Sequence, residues 1–237
     1  EVAGAAPEQI VVRETEWGPI LRREPDGSLL ALRWVAHVSG AVSSGLAEFV
    51  HARNLDEAFA VADRAGTPVQ NLVVADSSGR IGWRILGALP NWQAPCNRTG
   101  IERVVVPAGA CPPWSLSTSI APEVRDPATG RLWTANNRVI SGAENARVGY
   151  IGRDNSARAR QIRGGLMARE RFTERDILGI ELDDRAIYLE RWWKLLRVVL
   201  AGAGSDPLLA RLEVASQKWD GRASVGSVSY LLTRPYR

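Results

Sequence analysis

Between positions 90 and 127 the chain carries prolines at 90, 95, 107, 112, 113, 122 and 127. Each removes a backbone donor and fixes φ, so neither a long helix nor a central strand can cross this stretch. The region from Gly87 to about Gly130 therefore reads as a loop-rich excursion with one short strand around Arg103–Val106. Disorder does not explain it. Hydrophobic residues make up 45% and charged residues 24% of the 237, the balance of a chain that buries a core. Long ordered loops within a domain often carry function, so this excursion is expected to lie close to one.

On its N-terminal side the pattern is that of sheet. Ile10–Thr15 and Leu29–Val38 are rich in β-branched and apolar residues and flank Pro25-Asp26-Gly27-Ser28, which predicts a hairpin or two neighbouring strands. Asn54, followed three positions later by Glu57, is an N-cap signature and opens an amphipathic helix through Ala58–Ala62 that closes near Gly66. Asn71–Asp76 and Ile81–Leu86, joined by Ser77-Ser78-Gly79-Arg80, predict a second hairpin with the glycine at positive φ. Beyond the excursion a strand is expected at Arg131–Ala135, running into Asn136-Asn137-Arg138.

The last third reads as helical. Asn155 or Ser156 caps a helix to Met167, and Thr173 caps the next, whose apolar face is Ile177, Leu178, Ile180 and Leu182. A third, from about Arg185 to Leu200, carries Ile187, Leu189, Trp192, Leu195, Leu196 and Val199 on one broad apolar surface. Ser227–Thr233 reads as a closing strand. The class is α+β, sheet-rich over 1–140 and helix-rich over 155–215, and with no repeat or linker-like stretch the chain 1–237 is taken as one structural unit. Glu1 opens without a methionine and Arg237 follows directly on the strand-like run, as expected of an excised or processed piece. No apolar run reaches the ~18 residues of a membrane helix, and Glu1–Gly4 lacks the basic flank of an export signal.

The net charge is +4, with the signs interspersed. Arg138 to Arg175 holds nine arginines against Glu144, Asp154, Glu170 and Glu174, and Asp176, Glu181, Asp183 and Asp184 follow. With few aromatics interleaved, this reads as internal ion pairing rather than a nucleic-acid surface. Cys96 and Cys111 would close one loop in an oxidising compartment, a matter the sequence leaves open; with only His37 and His51 beside them they form no recognisable zinc site. Both histidines read as structural or surface groups, and Asp183-Asp184 as a helix boundary in which one Asp caps the next helix. Signatures such as a Gly-x-Ser-x-Gly elbow, a Gly-rich phosphate loop or His-Glu-x-x-His are absent. Asn136-Asn137 is the most suggestive spot, since paired amides at a strand end offer both donors and acceptors; a plain turn is the competing explanation.

Several blocks, in order, resemble the penicillin acylase family of N-terminal-nucleophile hydrolases. They are Arg13–Ile20, Ala31–Trp34, Gln70–Asp76 with Gly79–Trp83 and Gly87–Pro90, Trp133–Arg138, Ala157–Ile162, Glu181–Ala186 and Trp219–Ala223. All are similar to parts of the family's catalytic β chain, and each alone is weak. The resemblance implies a four-layer α-β-β-α sandwich and hydrolysis of an amide by a serine at the N-terminus of the β chain, whose own α-amine is the general base. An α-amine, with a pKa near ~8, can take up the hydroxyl proton at neutral pH without a histidine.

Residue 1 is Glu, and no internal serine sits in a context like the family's cleavage site, so the nucleophile is expected outside this chain. By the same resemblance Asn136 corresponds to the asparagine whose side-chain amide completes the oxyanion hole, and Arg158 to an arginine supporting it from behind. No cofactor is expected for catalysis. A structural calcium is a family feature whose ligands do not align in the Ser141–Gly152 loop, so it is expected, if at all, in the complete protein. The implied partners are an acylated small-molecule substrate and the α chain and remaining β chain of one precursor, with neither nucleic acid nor membrane, and the implied location is the periplasm. The acyl group stays open between penicillin side chains, lactone signals and peptides. The rival expectation is a non-catalytic binding or assembly module, inactive alone and prone to self-association.

Overall fold

The computed structural model describes residues 3–91, 109, 111–119, 121–148, 155–202, 204 and 206–236. It divides into two compact units, Glu1–Ser156 and Ala157–Arg237. The strand expected at Arg103–Val106 lies outside the described residues.

The first unit opens with an antiparallel sheet, β1 (Glu14–Thr15), β2 (Gly18–Arg23) and β3 (Leu29–Ala31), in that order. Pairing is shorter than the sequence suggests. Before β1, Ile10–Val12 form no regular strand, and of this segment only Arg13 extends the ladder, its carbonyl accepting from Ile20 N–H at 2.9 Å. After β3, Val35–His37 is a 3-10 turn rather than strand, because the donors a ladder needs are spent locally: His37 N–H on Trp34 O and Val38 N–H on Val35 O. At Gly18, φ is 130° and a Cβ would stand 2.1 Å from the Leu32 carbonyl oxygen, so the close crossing of β2 and β3 requires glycine.

A second 3-10 stretch, Ser44–His51, leads into helix α1 (Leu55–Ala62), which the Asn54 cap starts where the sequence predicts: its Oδ1 accepts from Glu57 N–H at 2.9 Å. The return arm overshoots. Glu57 accepts from the backbone N–H of Arg53 at 2.9 Å and pairs with its guanidinium, instead of returning to Asn54 N–H. α1 packs on the hairpin β4 (Gln70–Ala75) and β5 (Ile81–Leu86), in register with Val73 opposite Trp83, and Gly79 turns it at φ 87°. Leu55, Phe59 and Ala62 are buried, as are Trp83 and Leu86. A Cβ on Gly82 would stand 2.6 Å from Leu55 Cδ1 and 2.8 Å from Phe59 Cζ, so this glycine sets how closely the helix approaches the sheet. The Trp83 indole N–H donates to Asn71 Oδ1 at 2.8 Å, a diagonal cross-strand contact.

The proline-rich excursion leaves β5 through β6 (Leu89–Asn91) and returns through its partner β7 (Ser115–Ser117). β8 (Glu123–Arg125) then pairs with the second edge of β5, giving the order β4-β5-β8. Arg33 ties this return to the first sheet: it donates to Trp114 O at 2.7 Å and lies over the Trp114 ring at 4.8 Å. Cys111 is disulfide-bonded, and Cys96 lies outside the described residues. The strand expected at Arg131–Ala135 does not form. No described strand runs beside it, and Ala135 N–H is taken by the Asn137 side chain instead of a ladder. A short helix, α2 (Gly142–Val148), follows.

The second unit is helical: α3 (Ala157–Met167), α4 (Glu174–Glu181), α5 (Glu190–Ala201), α6 (Pro207–Ala215) and α7 (Val228–Tyr236). Thr173 and Asp176 form a reciprocal capping box at the start of α4. Gly165 of α3 lies against Ile180, where a Cβ would come within 2.9 Å of the Ile180 side chain. α5 buries Leu196 and Leu200, and its Trp193 stacks on Trp219 with ring centroids 5.8 Å apart while donating to Ser216 O at 2.7 Å.

Two expectations fail here for local reasons. Ser227–Thr233 is helix, not strand, because Ser227 Oγ accepts from Tyr230 N–H at 3.2 Å and donates to Asp220 at 2.6 Å, a cap that outweighs the β-like composition. Asp183 and Asp184 do not cap the following helix either. Asp183 holds the Arg185 guanidinium at 2.7 Å and Asp184 that of Arg222, beside a bridge in which Ala186 N–H bonds Gly221 O at 2.7 Å. Arginines nearby competed for both carboxylates and won.

Candidate functional site

The Asn-Asn pair turns the chain after residue 135, and its two members do different work. Asn137 is committed to the backbone at both ends, its Oδ1 accepting from Ala135 N–H and its Nδ2 donating to Arg138 O, each at 2.9 Å. That closes a tight loop and leaves Asn136 at its exposed apex. Asn136 has φ 54°, in the left-handed region, where only glycine is free of a steric penalty and Asn is among the better-tolerated side chains. Just before the turn, Thr134 Oγ1 is buried with no hydrogen-bond partner. An amide at the apex of a fixed turn can present an N–H donor, the chemistry needed to hold an oxygen that gains negative charge.

Arg158 lies in the first turn of α3, exposed, with its neighbour Ala159 buried and fixing that face of the helix. The first turn, Ala157-Arg158-Ala159-Arg160, has no acidic residue, although a helix N-terminus favours negative charge. Asn136 belongs to the first unit and Arg158 to the second. Among the described residues no group of three or more His, Cys, Asp or Glu side chains is placed to hold a metal, and no helix is long and apolar enough to cross a membrane. His37 and His51 are exposed, His37 edge-on to Trp34 at 5.1 Å.

A second polar constellation escapes sequence reasoning. Along the seam between α1 and the β5–β8 edge, a cleft of about 400 Å³ is lined by Asp56, Asp63, Arg84, Glu123 and Arg125 around Phe59. Arg84 is only 3% exposed; it donates to Phe59 O at 3.0 Å and pairs with Asp63 at 2.9 Å. Asp56 bridges Arg80, at 2.6 Å, and Arg125, whose guanidinium lies 4.4 Å from the Phe59 ring. The ion pairs are mutually satisfied, so the cleft reads as a charged clasp holding helix to sheet. Its sequence signal is the spacing of Arg80, just before β5, and Arg84 within it against Asp56 and Asp63 on and just past α1, visible only once the two are known to pack.

Nearby, Asp76 joins the hairpin turn to the start of α1. It accepts from Ser78 Oγ at 2.5 Å, from Leu55 N–H at 3.1 Å and from Arg80 N–H at 3.2 Å. These bonds, the Ser78 hydroxyl first, lower its pKa to about 2. Asp183 is likewise held well below the usual carboxylate range, chiefly by Arg185.

The fold has a solved counterpart. A thermostable penicillin G acylase from Alcaligenes faecalis superposes with a TM-score of 0.64 at 21% identity, over 94% of this chain and 40% of that one. At that identity the likeness speaks for the mixed α/β fold. A curated relative, the penicillin acylase 2 proenzyme of Pseudomonas sp. (strain SE83), is 27% identical over 240 residues, 95% of this chain. The chain spans 29% of that proenzyme's length. The penicillin amidase family model matches residues 1–236, and the chain belongs to that family.

Proposed function

We propose that this chain is part of an amide hydrolase that releases an acyl group from an amine, its nucleophile a serine at a chain N-terminus elsewhere in the same precursor. The reading rests on the family match over residues 1–236, with Asn136 set at a left-handed turn apex within it. In this mechanism the serine Oγ attacks the substrate's carbonyl carbon while its α-amine takes the proton. The carbonyl oxygen becomes an oxyanion, and the Asn136 Nδ2–H donates to it. The amine leaves carrying the proton, and water cleaves the acyl-enzyme. Arg158 acts as a positioning residue, its guanidinium holding the polar surroundings of the site. The complete protein adopts the four-layer α-β-β-α sandwich, is exported to the periplasm and is processed into two chains. The Cys111 disulfide suits such a compartment.

The test is replacement of Asn136 by Ala in the complete protein. Loss of one oxyanion donor lowers kcat about 10²- to 10³-fold with KM nearly unchanged. Turnover equal to the parent's removes Asn136 from the mechanism.

A further inference from the structure

Among the described residues two buried side-chain polar atoms have no hydrogen-bond partner, Thr134 Oγ1 and Trp192 Nε1. Trp192 belongs to α5 of the second unit, whereas Thr134 stands in the first unit, two positions before Asn136. A buried hydroxyl left unpaired is destabilising, and valine offers the same shape without that cost. Packing therefore gives no reason for a hydroxyl at position 134.

The turn gives none either. Asn137 ties it at both ends, to Ala135 N–H and to Arg138 O, and the Thr134 side chain takes no part. The Asn136 amide, however, is within reach. Two residues of chain separate their Cα atoms by at most about 7 Å, and a turn shortens this, so rotation of the Asn136 side chain brings it to the Thr134 hydroxyl without moving the backbone. Asn136 is exposed, and exposed side chains change rotamer within picoseconds to nanoseconds, while burial holds the hydroxyl in place. Hydrogen bonds that serve catalysis often close only once substrate is bound.

We propose that Thr134 is a positioning residue for the oxyanion donor: with substrate bound, its O–H donates to Asn136 Oδ1 and so turns Nδ2–H toward the developing oxyanion. The direction of the bond follows from the amide's chemistry. Its oxygen accepts and its nitrogen donates, so a donor on Oδ1 leaves Nδ2 to the substrate and draws electron density from the nitrogen, which polarises the N–H further. A bond from Nδ2–H to Thr134 Oγ1 would spend a donor instead. No proton changes hands, since the hydroxyl keeps its hydrogen throughout. This inference rests on the reading above that Asn136 completes the oxyanion hole, and it adds the group that aims the amide.

The test is a double-mutant cycle in the complete protein, with kcat, KM and Tm measured for Thr134→Val, Thr134→Ser, Asn136→Gly and the combination of Thr134→Val with Asn136→Gly. Thr134→Val is expected to lower kcat about 3- to 10-fold, the worth of one neutral hydrogen bond, with KM and Tm close to the parent's. Thr134→Ser, which keeps the hydroxyl, should recover most of that loss. In the Asn136→Gly background Thr134→Val should have no further effect, because the group it acts through is gone. Parent-level kcat in Thr134→Val beside a slow Asn136→Gly overturns this inference and leaves the oxyanion assignment standing. A loss that persists undiminished in the Asn136→Gly background means that the hydroxyl serves the substrate or another group, and a loss that tracks a fall in Tm and is not recovered by serine is a packing effect; each overturns it as well. Asn136→Gly with the parent's turnover sinks the oxyanion reading itself, and this inference with it.

Discussion

Arg84→Met puts the clasp between α1 and the sheet to a quantitative test. Arg84 is buried, and methionine keeps most of its apolar stem, so the change removes mainly polar interactions. The largest is the bond to Phe59 O at 3.0 Å. That carbonyl keeps the Asp63 N–H at 3.1 Å, so losing its second donor costs roughly 0.5–1.5 kcal/mol. The pair with Asp63 adds little, no more than about 1 kcal/mol, because that carboxylate is 55% exposed and water replaces the partner. The guanidinium 5.4 Å from the Phe59 ring contributes about 0.5–1 kcal/mol. Relief of the buried cation's desolvation offsets part of the total. The net expectation is a loss of about 1–2 kcal/mol, or a fall in Tm on the order of 2–8 °C for a chain this long. Urea unfolding followed by tryptophan fluorescence reads it directly, since Trp83 is fully buried beside the clasp. Asp63→Asn is the companion and should cost under about 1 kcal/mol. A stability for Arg84→Met within ~0.5 kcal/mol of the parent, the range of an ordinary surface change, refutes the reasoning, and an Asp63→Asn cost equal to that of Arg84→Met moves the energy from the carbonyl to the ion pair.

Further expectations are tied to single contacts. Because the folded pKa of Asp76 is lowered from 3.8 to about 2, its contribution to stability is complete above ~4 and disappears as the pH falls toward 2. Asp76→Asn should therefore flatten the acid limb of a stability-versus-pH curve in that window, and an unchanged limb counts against the role. Ser227→Ala removes the cap of α7 and a buried partner of Asp220 and should cost about 1–2 kcal/mol with a loss of far-UV helix signal, whereas Ser227→Thr should recover most of both. Were Ser227–Thr233 a strand, the helix signal would not respond.

What could be read from the sequence was what is decided locally. The Asn54 cap, the Ser77–Arg80 turn and the Thr173 capping box each depend on residues within four positions of one another, and all three form as expected. Elements that needed a distant partner were misjudged. Arg131–Ala135 has strand composition, but a strand exists only beside another, and none of the described strands lies there. Ser227–Thr233 has strand composition too, yet Asp220, seven positions upstream, fixes the serine that caps it as a helix. Arg84 and Arg125 meet around Phe59 only because β8 returns to β5 after the proline-rich excursion.

The site shows the same division in miniature. Two adjacent asparagines are equivalent in composition, and only the backbone separates the one that makes the turn from the one the turn presents. Asn137 holds Ala135 and Arg138, while the backbone of Asn136 takes φ 54°. Glycine does that better than any other residue, and alanine carries a left-handed penalty of roughly 1–2 kcal/mol. Asn136→Gly is therefore the cleaner removal of the amide, expected to stay within about 1 kcal/mol of the parent in stability. If position 136 serves only the turn, the glycine variant of the complete protein hydrolyses amides at the parent's rate. If its amide faces the developing oxyanion, the same variant folds normally and loses about 10²- to 10³-fold in kcat, while Asn137→Gly loses stability first. A variant that keeps its Tm and its turnover would leave the left-handed apex with no catalytic reason to exist.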